Sequence, residues 1–281
     1  MAEQTERKLN HLERLLPEGL LVDAAWLSKH GYSTSLRSQY VTGGWLEHPA
    51  RGVYQRPRGS LSWQQVVISL QTLLAQDLVV GGRSALELQG FAHYLAHEKK
   101  EVHLYGSKRP PAWLSKLPLG VQFAYHNRAR LFRSCAKQAD AKVSPDPLTE
   151  HGTGNKLLPA DLVVQPWGQW GWRLILSSPE RAVLELLDEL PFRESFEQVD
   201  RLFEGLVNLG PRRLEKLLLD CRSIKVKRLF FFFADRHQHA WLRRIDKNAI
   251  DLGSGKRMLI RGGTLNSAYQ ITVPQGFDAV Q

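Results

Sequence analysis

Between residues 20 and 58, two short helix-prone runs meet at a glycine turn and lead into a β-hairpin. No other stretch of the 281 residues restricts the fold as tightly, because this order is that of a winged helix-turn-helix. Asp23 stands where it can accept the first free N–H groups of a helix over residues 24–29, with Ala25, Trp26 and Leu27 as apolar contacts. Gly31 permits the sharp turn that follows, and Ser33 or Thr34 can cap the next helix. The spacing of Leu36, Tyr40 and Val41 turns those three inward and leaves Ser35, Arg37, Ser38 and Gln39 outside. Gly43 and Gly44 end that helix. Residues 45–47 and 52–55 are β-prone, and residues 48–51 read as the turn between them.

The outward chemistry suits duplex DNA. Short polar side chains at a helix N-terminus, here Ser33, Thr34, Ser35 and Ser38, can reach phosphates and base edges in a major groove. Arg37 and Gln39 are long enough for base contact. Arg51, Tyr54, Arg56 and Arg58 would lie along the hairpin, on the backbone or in a minor groove. The bland alternative is a small module that contacts only protein. Local charge does not decide between them, since residues 1–58 hold eight Lys/Arg against six Asp/Glu.

The chain is long enough for two units, and the sequence suggests an α+β protein. Residues 1–58 would be the winged module, and residues 59–281 a larger mixed α/β unit, mainly helical in its last third. No apolar run approaches the roughly 18 residues of a membrane span, and the first ten residues lack the apolar core of a signal peptide. The two cysteines, Cys135 and Cys221, are expected to be reduced, and the protein to be cytoplasmic. The net charge of +10 is unevenly spread. Residues 96–137 carry nine Lys/Arg against two Asp/Glu, residues 138–208 six against twelve, and residues 209–261 fourteen against five. The two basic blocks either extend a nucleic-acid footprint or form solvated helix faces.

Downstream, residues 63–75 have helical periodicity, 78–80 read as a buried strand and 84–90 as a short helix closed by Gly90. Residues 102–105 and 121–126 are strands flanking a loop at 108–111, and 142–158 is a polar loop. Ser177 or Ser178 caps a helix with Pro179 in its first turn and Val183, Leu184, Leu187 and Leu190 as its buried stripe. Helices over 196–206 and from Pro211 follow. For 224–236, which contains four consecutive phenylalanines, a helix fits better than a strand, leaving Phe231 and Phe232 to be covered by another element.

No catalytic motif is present in a strand-to-helix context, so neither an enzyme nor a cofactor is expected. The GSG of 253–255, followed by Lys256 and Arg257, reads as a turn rather than a phosphate cradle, although Arg244, Lys256, Arg257 and Arg261 could hold a phosphate nonspecifically. The histidine pairs His93/His97 and His237/His239 lack further ligands at metal spacing, and no metal is expected. Glu180, Arg181, Asp188 and Glu189 read as the solvated face of an amphipathic helix. Trp167, Trp170 and Trp172 read as packing around a turn.

Five segments carry a family resemblance. They are GWLEHPARGVYQRP (44–57), GGRSALELQGFAHYL (81–95), SPERAVLELLDELP (178–191), VKRLFFFFADRHQHAWLRRID (226–246) and IDLGSGKRMLIRGGTLNSAYQITVP (250–274). In this order and spacing, across nearly the whole chain, they resemble the AbiEi antitoxin family. The resemblance implies a type IV toxin–antitoxin system, in which a winged-helix domain binds inverted repeats in the promoter of its own operon and represses it. It also implies a C-terminal domain that opposes a nucleotidyltransferase-like toxin without a stable complex. Arg37, Ser38 and Gln39 would fall on the recognition helix and Arg51 at the wing. The protein is expected to be a monomer in solution, with an inverted repeat filled by a dimer or by cooperative monomers. The alternative is an enzymatic antitoxin that modifies the toxin or reverses its product.

Overall fold

In the computed structural model, residues 2–57, 59–91, 101–137 and 158–277 are described, with side chains from residue 7 onward except those of 136 and 137. The N-terminal unit begins with a helix that local sequence signals do not announce, α1 (Ala2–Leu15). Leu12 and Leu16 at its end are fully buried. Then follow β1 (Leu21–Asp23), α2 (Ala24–Lys29), α3 (Thr34–Thr42), β2 (Glu47–Ala50) and β3 (Val53–Gln55). Two side-chain caps fix the helix starts: Asp23 Oδ1 accepts from Trp26 N at 2.7 Å, and Ser33 Oγ from Leu36 N at 3.3 Å. The three strands form one antiparallel sheet in the order β1–β3–β2.

The hairpin differs from its expected register. Its strands reach Ala50 and Val53, which face each other, so the turn is Arg51–Gly52 rather than 48–51. Gly52 adopts φ 77°, a left-handed value that glycine takes without strain. Pro49 lies inside β2, an edge strand, where a residue without an N–H is tolerated.

Helix α4 (Trp63–Thr72) joins the two halves. Ser62 and Gln65 cap each other's backbone in a capping box. Ser69 Oγ of α4 accepts from Leu21 N of β1 at 3.0 Å. On the body side, the buried Gln71 donates to Leu78 O and Ile175 O at 2.9 Å each and accepts from Ile175 N at 3.0 Å. One glutamine thereby satisfies three main-chain groups across two strands.

The body is built on five strands: β4 (Leu78–Val80), β5 (Glu101–Gly106), β6 (Gln122–Asn127), β7 (Leu162–Trp167) and β8 (Trp172–Ser177). Their order is β6–β5–β4–β8–β7. The pairs β5/β6 and β4/β8 are parallel, and β4/β5 and β7/β8 are antiparallel. The central β4 is buried throughout, as an uninterrupted Leu-Val-Val run requires. Between the sheet strands lie α5 (Gly82–Leu88) and the short α6 (Arg133–Lys137). The last part is mainly helical: α7 (Pro179–Asp188), α8 (Phe196–Gly205), α9 (Pro211–Asp220) and α10 (Ile224–His237), followed by the small pair β9 (Thr264–Asn266) and β10 (Ile271–Val273). Ser178 caps α7 with Pro179 in the first turn, and Ser223 caps α10.

The helical reading of 224–236 holds, and the four phenylalanines Phe230 to Phe233 are all buried. Phe203, Phe196, Trp241 and Tyr269 supply the covering rings. Buried side chains from Leu12 to Val273 make one contiguous cluster, so the N-terminal unit shares its core with the body. The polar loop expected at 142–158 lies outside the described residues except for Leu158, and the His93/His97 pair lies outside them altogether. Among the described residues, no helix is long and apolar enough to cross a membrane.

Candidate nucleic-acid interface

Helix α3 presents a polar face with no charge on it. Ser35, Ser38, Gln39, Thr42 and Gly43 line one shallow hollow, at the i, i+3, i+4, i+7 spacing of a single helix face. Ser35, Ser38, Gln39 and Thr42 are exposed. Three of them were expected there. Thr42 was not, although continuing the same spacing one turn further finds it. Trp45, just past the helix, is 51% exposed and stands beside Gly43.

Arg37 departs from expectation. It is 6% exposed and points into the unit. Its Nη1 donates to Ala24 O of α2 at 2.7 Å, its Nη2 to Thr34 Oγ1 at 2.8 Å, and its guanidinium lies 5.7 Å from the centre of the Tyr54 ring. Its Nε is buried without a partner. The α2 carbonyl and the Tyr54 ring together draw the side chain inward. Arg37 joins both helices to the hairpin, and it cannot reach a base from that position. Thr34 is exposed, but its hydroxyl is the acceptor for Arg37, while Ser33 is spent on the cap.

On the hairpin, Arg51 is exposed at the turn. Tyr54 is half-buried between Arg37 and His48, whose ring centre is 5.0 Å away. Arg56 is drawn from the expected backbone role toward α1, where its Nη2 meets Glu13 at 3.2 Å and Glu18 at 3.1 Å. Arg58 lies outside the described residues. Of the ten residues expected at this interface, the structure brings Ser35, Ser38 and Gln39 together and sets Arg51 apart on the hairpin.

The charges of α7 are the second correction. Of the four residues expected on a solvated face, Glu180 and Arg181 are buried at 3% and 2% exposed, with Glu185 beside them at 0%, whereas Asp188 and Glu189 are partly exposed. Arg181 bonds Glu185 Oε1 and Asp161 Oδ2 at 2.8 Å each and lies over the Phe132 ring. Glu185 Oε2 accepts from Gly82 N at 2.9 Å. A Cβ at Gly81 would collide with that carboxylate and with the Tyr105 ring, and Gly82 after it takes a left-handed φ of 53°, so each of the two positions calls for glycine. Glu180 accepts from Gly210 N at 2.7 Å and pairs with Arg213 at 2.9 Å, and although burial opposes it, these bonds hold its carboxyl below the usual range. Such a network joins α7 to its neighbours.

His103, His126 and Glu189 are a grouping that sequence spacing did not show, because β5, β6 and α7 bring it together. Their candidate ligand atoms lie within 4.8 Å of one another. Those atoms bond each other: His103 Nδ1 is 3.0 Å from His126 Nε2, and His126 Nδ1 is 3.0 Å from Glu189 Oε1. Burial, then His126, pushes His103 down to about 4, so it is neutral at physiological pH. The second histidine pair is engaged too, His237 with Asp200 at 2.8 Å and His239 with Phe203 O at 2.7 Å. Trp167 and Trp172 face each other across β7 and β8, and Trp170 at the turn between them is 61% exposed.

Comparison with known proteins accords with this architecture. A model of the AbiEi antitoxin N-terminal domain, described as a transcriptional regulator, matches residues 5–97, and a second, for the transcriptional regulator AbiEi antitoxin of a type IV toxin–antitoxin system, matches residues 99–274. The two models meet well beyond residue 58. A crystal structure of the RV2827C protein from Mycobacterium tuberculosis aligns over 95% of this chain and 90% of its own, with a TM-score of 0.53 at 16% identity. At that identity the likeness speaks for the fold. Among curated proteins there is no significant sequence match. The chain belongs to the AbiEi antitoxins, the transcriptional regulators of type IV toxin–antitoxin systems.

Proposed function

We propose that the N-terminal unit is a winged helix-turn-helix that places α3 in the major groove of promoter duplex DNA and represses the protein's own operon. The observation that carries this reading is the exposed, uncharged face of Ser35, Ser38, Gln39 and Thr42. Hydroxyls and amides of this length read base edges without the penalty of desolvating a charge. The element order α1-β1-α2-α3-β2-β3 and the sheet order β1–β3–β2 support it. Arg51 at the hairpin turn supplies a backbone or minor-groove contact. The body opposes a nucleotidyltransferase-like toxin without forming a stable complex. It acts as a binding protein rather than a catalyst, in the cytoplasm, as a monomer that fills an inverted repeat cooperatively.

A promoter–reporter strain that also carries the toxin gene tests the reading. Ser38→Ala with Gln39→Ala should release the reporter while leaving rescue from the toxin intact. Repression equal to wild type by the double variant would remove α3 from the interface.

A further inference from the structure

Two imidazoles and a carboxylate from three separate elements meet at the C-terminal end of α7. His103 comes from β5, His126 from β6, and Glu189 closes the helix. One ligating atom of each lies within 4.8 Å of the other two. His103 Nδ1 stands 3.0 Å from His126 Nε2. Two ligands at about 2.0–2.1 Å from a tetrahedral zinc ion are about 3.3 Å apart. The imidazole pair is therefore within a few tenths of an ångström of that spacing, and the widest separation in the group must close by about 1.5 Å at most.

The cluster has one fixed and two adjustable members. His103 is 3% exposed, and its main chain is held on both sides, its N–H to Ser84 Oγ at 3.1 Å and its carbonyl to Gly81 N at 3.0 Å. His126 lies on the edge strand β6 and Glu189 on the cap of α7, both only partly buried, so both can turn toward His103. Glu189 Oε2 meets Arg193 Nε at 3.5 Å, too long for a strong bond, while Arg193 keeps Glu101 at 2.7 Å. The Tyr105 ring stacks on His126, with centres 4.6 Å apart, and limits the imidazole to turning in its own plane. A helix C-terminus also favours positive charge, and Lys225 already bonds the Asp188 and Leu190 carbonyls at this one.

We propose that His103, His126 and Glu189 form a site for a divalent transition-metal ion of the zinc class, which ties β5 and β6 to the end of α7. Without the ion, the three groups bond one another as they do here. Two nitrogen donors select such an ion over magnesium or calcium, which prefer oxygen. Two histidines and a glutamate make a complete protein share for zinc and leave one position for water. Because the ligands converge only in the folded chain, the ion stabilises it. The site is independent of the reading of α3.

The test is calorimetric titration of the chelator-treated full-length protein with zinc chloride, beside melting curves with and without zinc. Wild type should take up one ion per chain and melt at a higher temperature with zinc. Cobalt(II) in place of zinc should give the visible absorption of a tetrahedral site. His126→Ala and Glu189→Gln should each weaken uptake by more than about tenfold, the least that losing an orienting partner of a metal ligand costs. Both side chains are partly exposed, and the metal-free melting curves check that the variants fold. His237→Ala with His239→Ala should leave uptake unchanged. No uptake by wild type at millimolar zinc would overturn the proposal, whatever the variants do. So would uptake kept by both site variants, or an equal rise in melting with magnesium.

Discussion

Helices α3 and α7 each mix polar with apolar residues, and they use their charges in opposite ways. On α3 the single arginine is withdrawn into the unit and the surface left behind is neutral, polar and open. On α7 the charged residues Glu180, Arg181 and Glu185 are buried and neutralised by one another and by Asp161, Arg213 and backbone N–H groups. The first arrangement leaves hydrogen-bonding groups for a partner. The second turns its carboxylates to the fold and leaves Arg181 Nη2 buried without a partner. A charged residue on a helix thus marks an interface only once its own partners are known.

Breaking one partner of the α7 network should give the largest effect. Glu185→Ala leaves Arg181 buried with half its compensation, and the expected loss is about 3–5 kcal/mol in urea unfolding. Arg181→Met combined with Glu185→Leu should recover much of that loss, because the carboxylate then left unpaired, Asp161, is 23% exposed rather than buried. Equal losses for the single and double variants would contradict the pairing.

Acid should weaken the same region next. His103 is held down to about 4 in the folded protein and rises to about 6.5 when unfolded, so the unfolded state binds the extra proton. Stability is therefore unaffected above pH 6.5 and falls as pH drops from about 6.5 to about 4, by about 3 kcal/mol. Glu189, held below the usual range by its bond to His126 although burial opposes it, adds to the loss as it takes up a proton below about 4.5. Unfolding titrations of His103→Asn should show a flatter slope across that window.

On α3 the effects should be smaller and should separate. Arg37→Ala leaves the Ala24 carbonyl without its donor and should cost about 1–3 kcal/mol of stability. Gln39→Ala should stay within about 0.5 kcal/mol of wild-type stability. It should nevertheless lose about 1–3 kcal/mol of discrimination between promoter and scrambled duplex. Ser33→Ala, which removes only the cap, should cost about 1 kcal/mol. If Arg37→Ala lost sequence discrimination with no loss of stability, the division between strut and reader would be wrong.

Much of this was legible in the chain. Asp23, Ser33, Gly31 and the Leu36/Tyr40/Val41 spacing place α2 and α3 because capping and periodicity are local properties. The outward placement of Ser38 and Gln39 was legible for the same reason. Arg37 was not, because its inward turn depends on the Ala24 carbonyl and the Tyr54 ring, thirteen and seventeen residues away in the sequence. The α7 charges were misread for a similar reason, since Asp161, Gly82 and Arg213 reach them from three separate elements. Periodicity reports which residues share a face, but it does not report that tertiary partners will cover the polar one. The His103–His126–Glu189 grouping exists only through the parallel pairing of β5 with β6 and the end of α7.

The central claim is that α3 reads DNA through Ser38 and Gln39 while Arg37 holds the unit together. Its most direct test is the ratio of promoter to scrambled-duplex affinity for full-length wild type and the Ser38→Ala/Gln39→Ala variant, measured beside their melting curves. The account predicts a wild-type ratio well above one, a variant ratio near one and superimposable melting. A variant that keeps the wild-type ratio would contradict it.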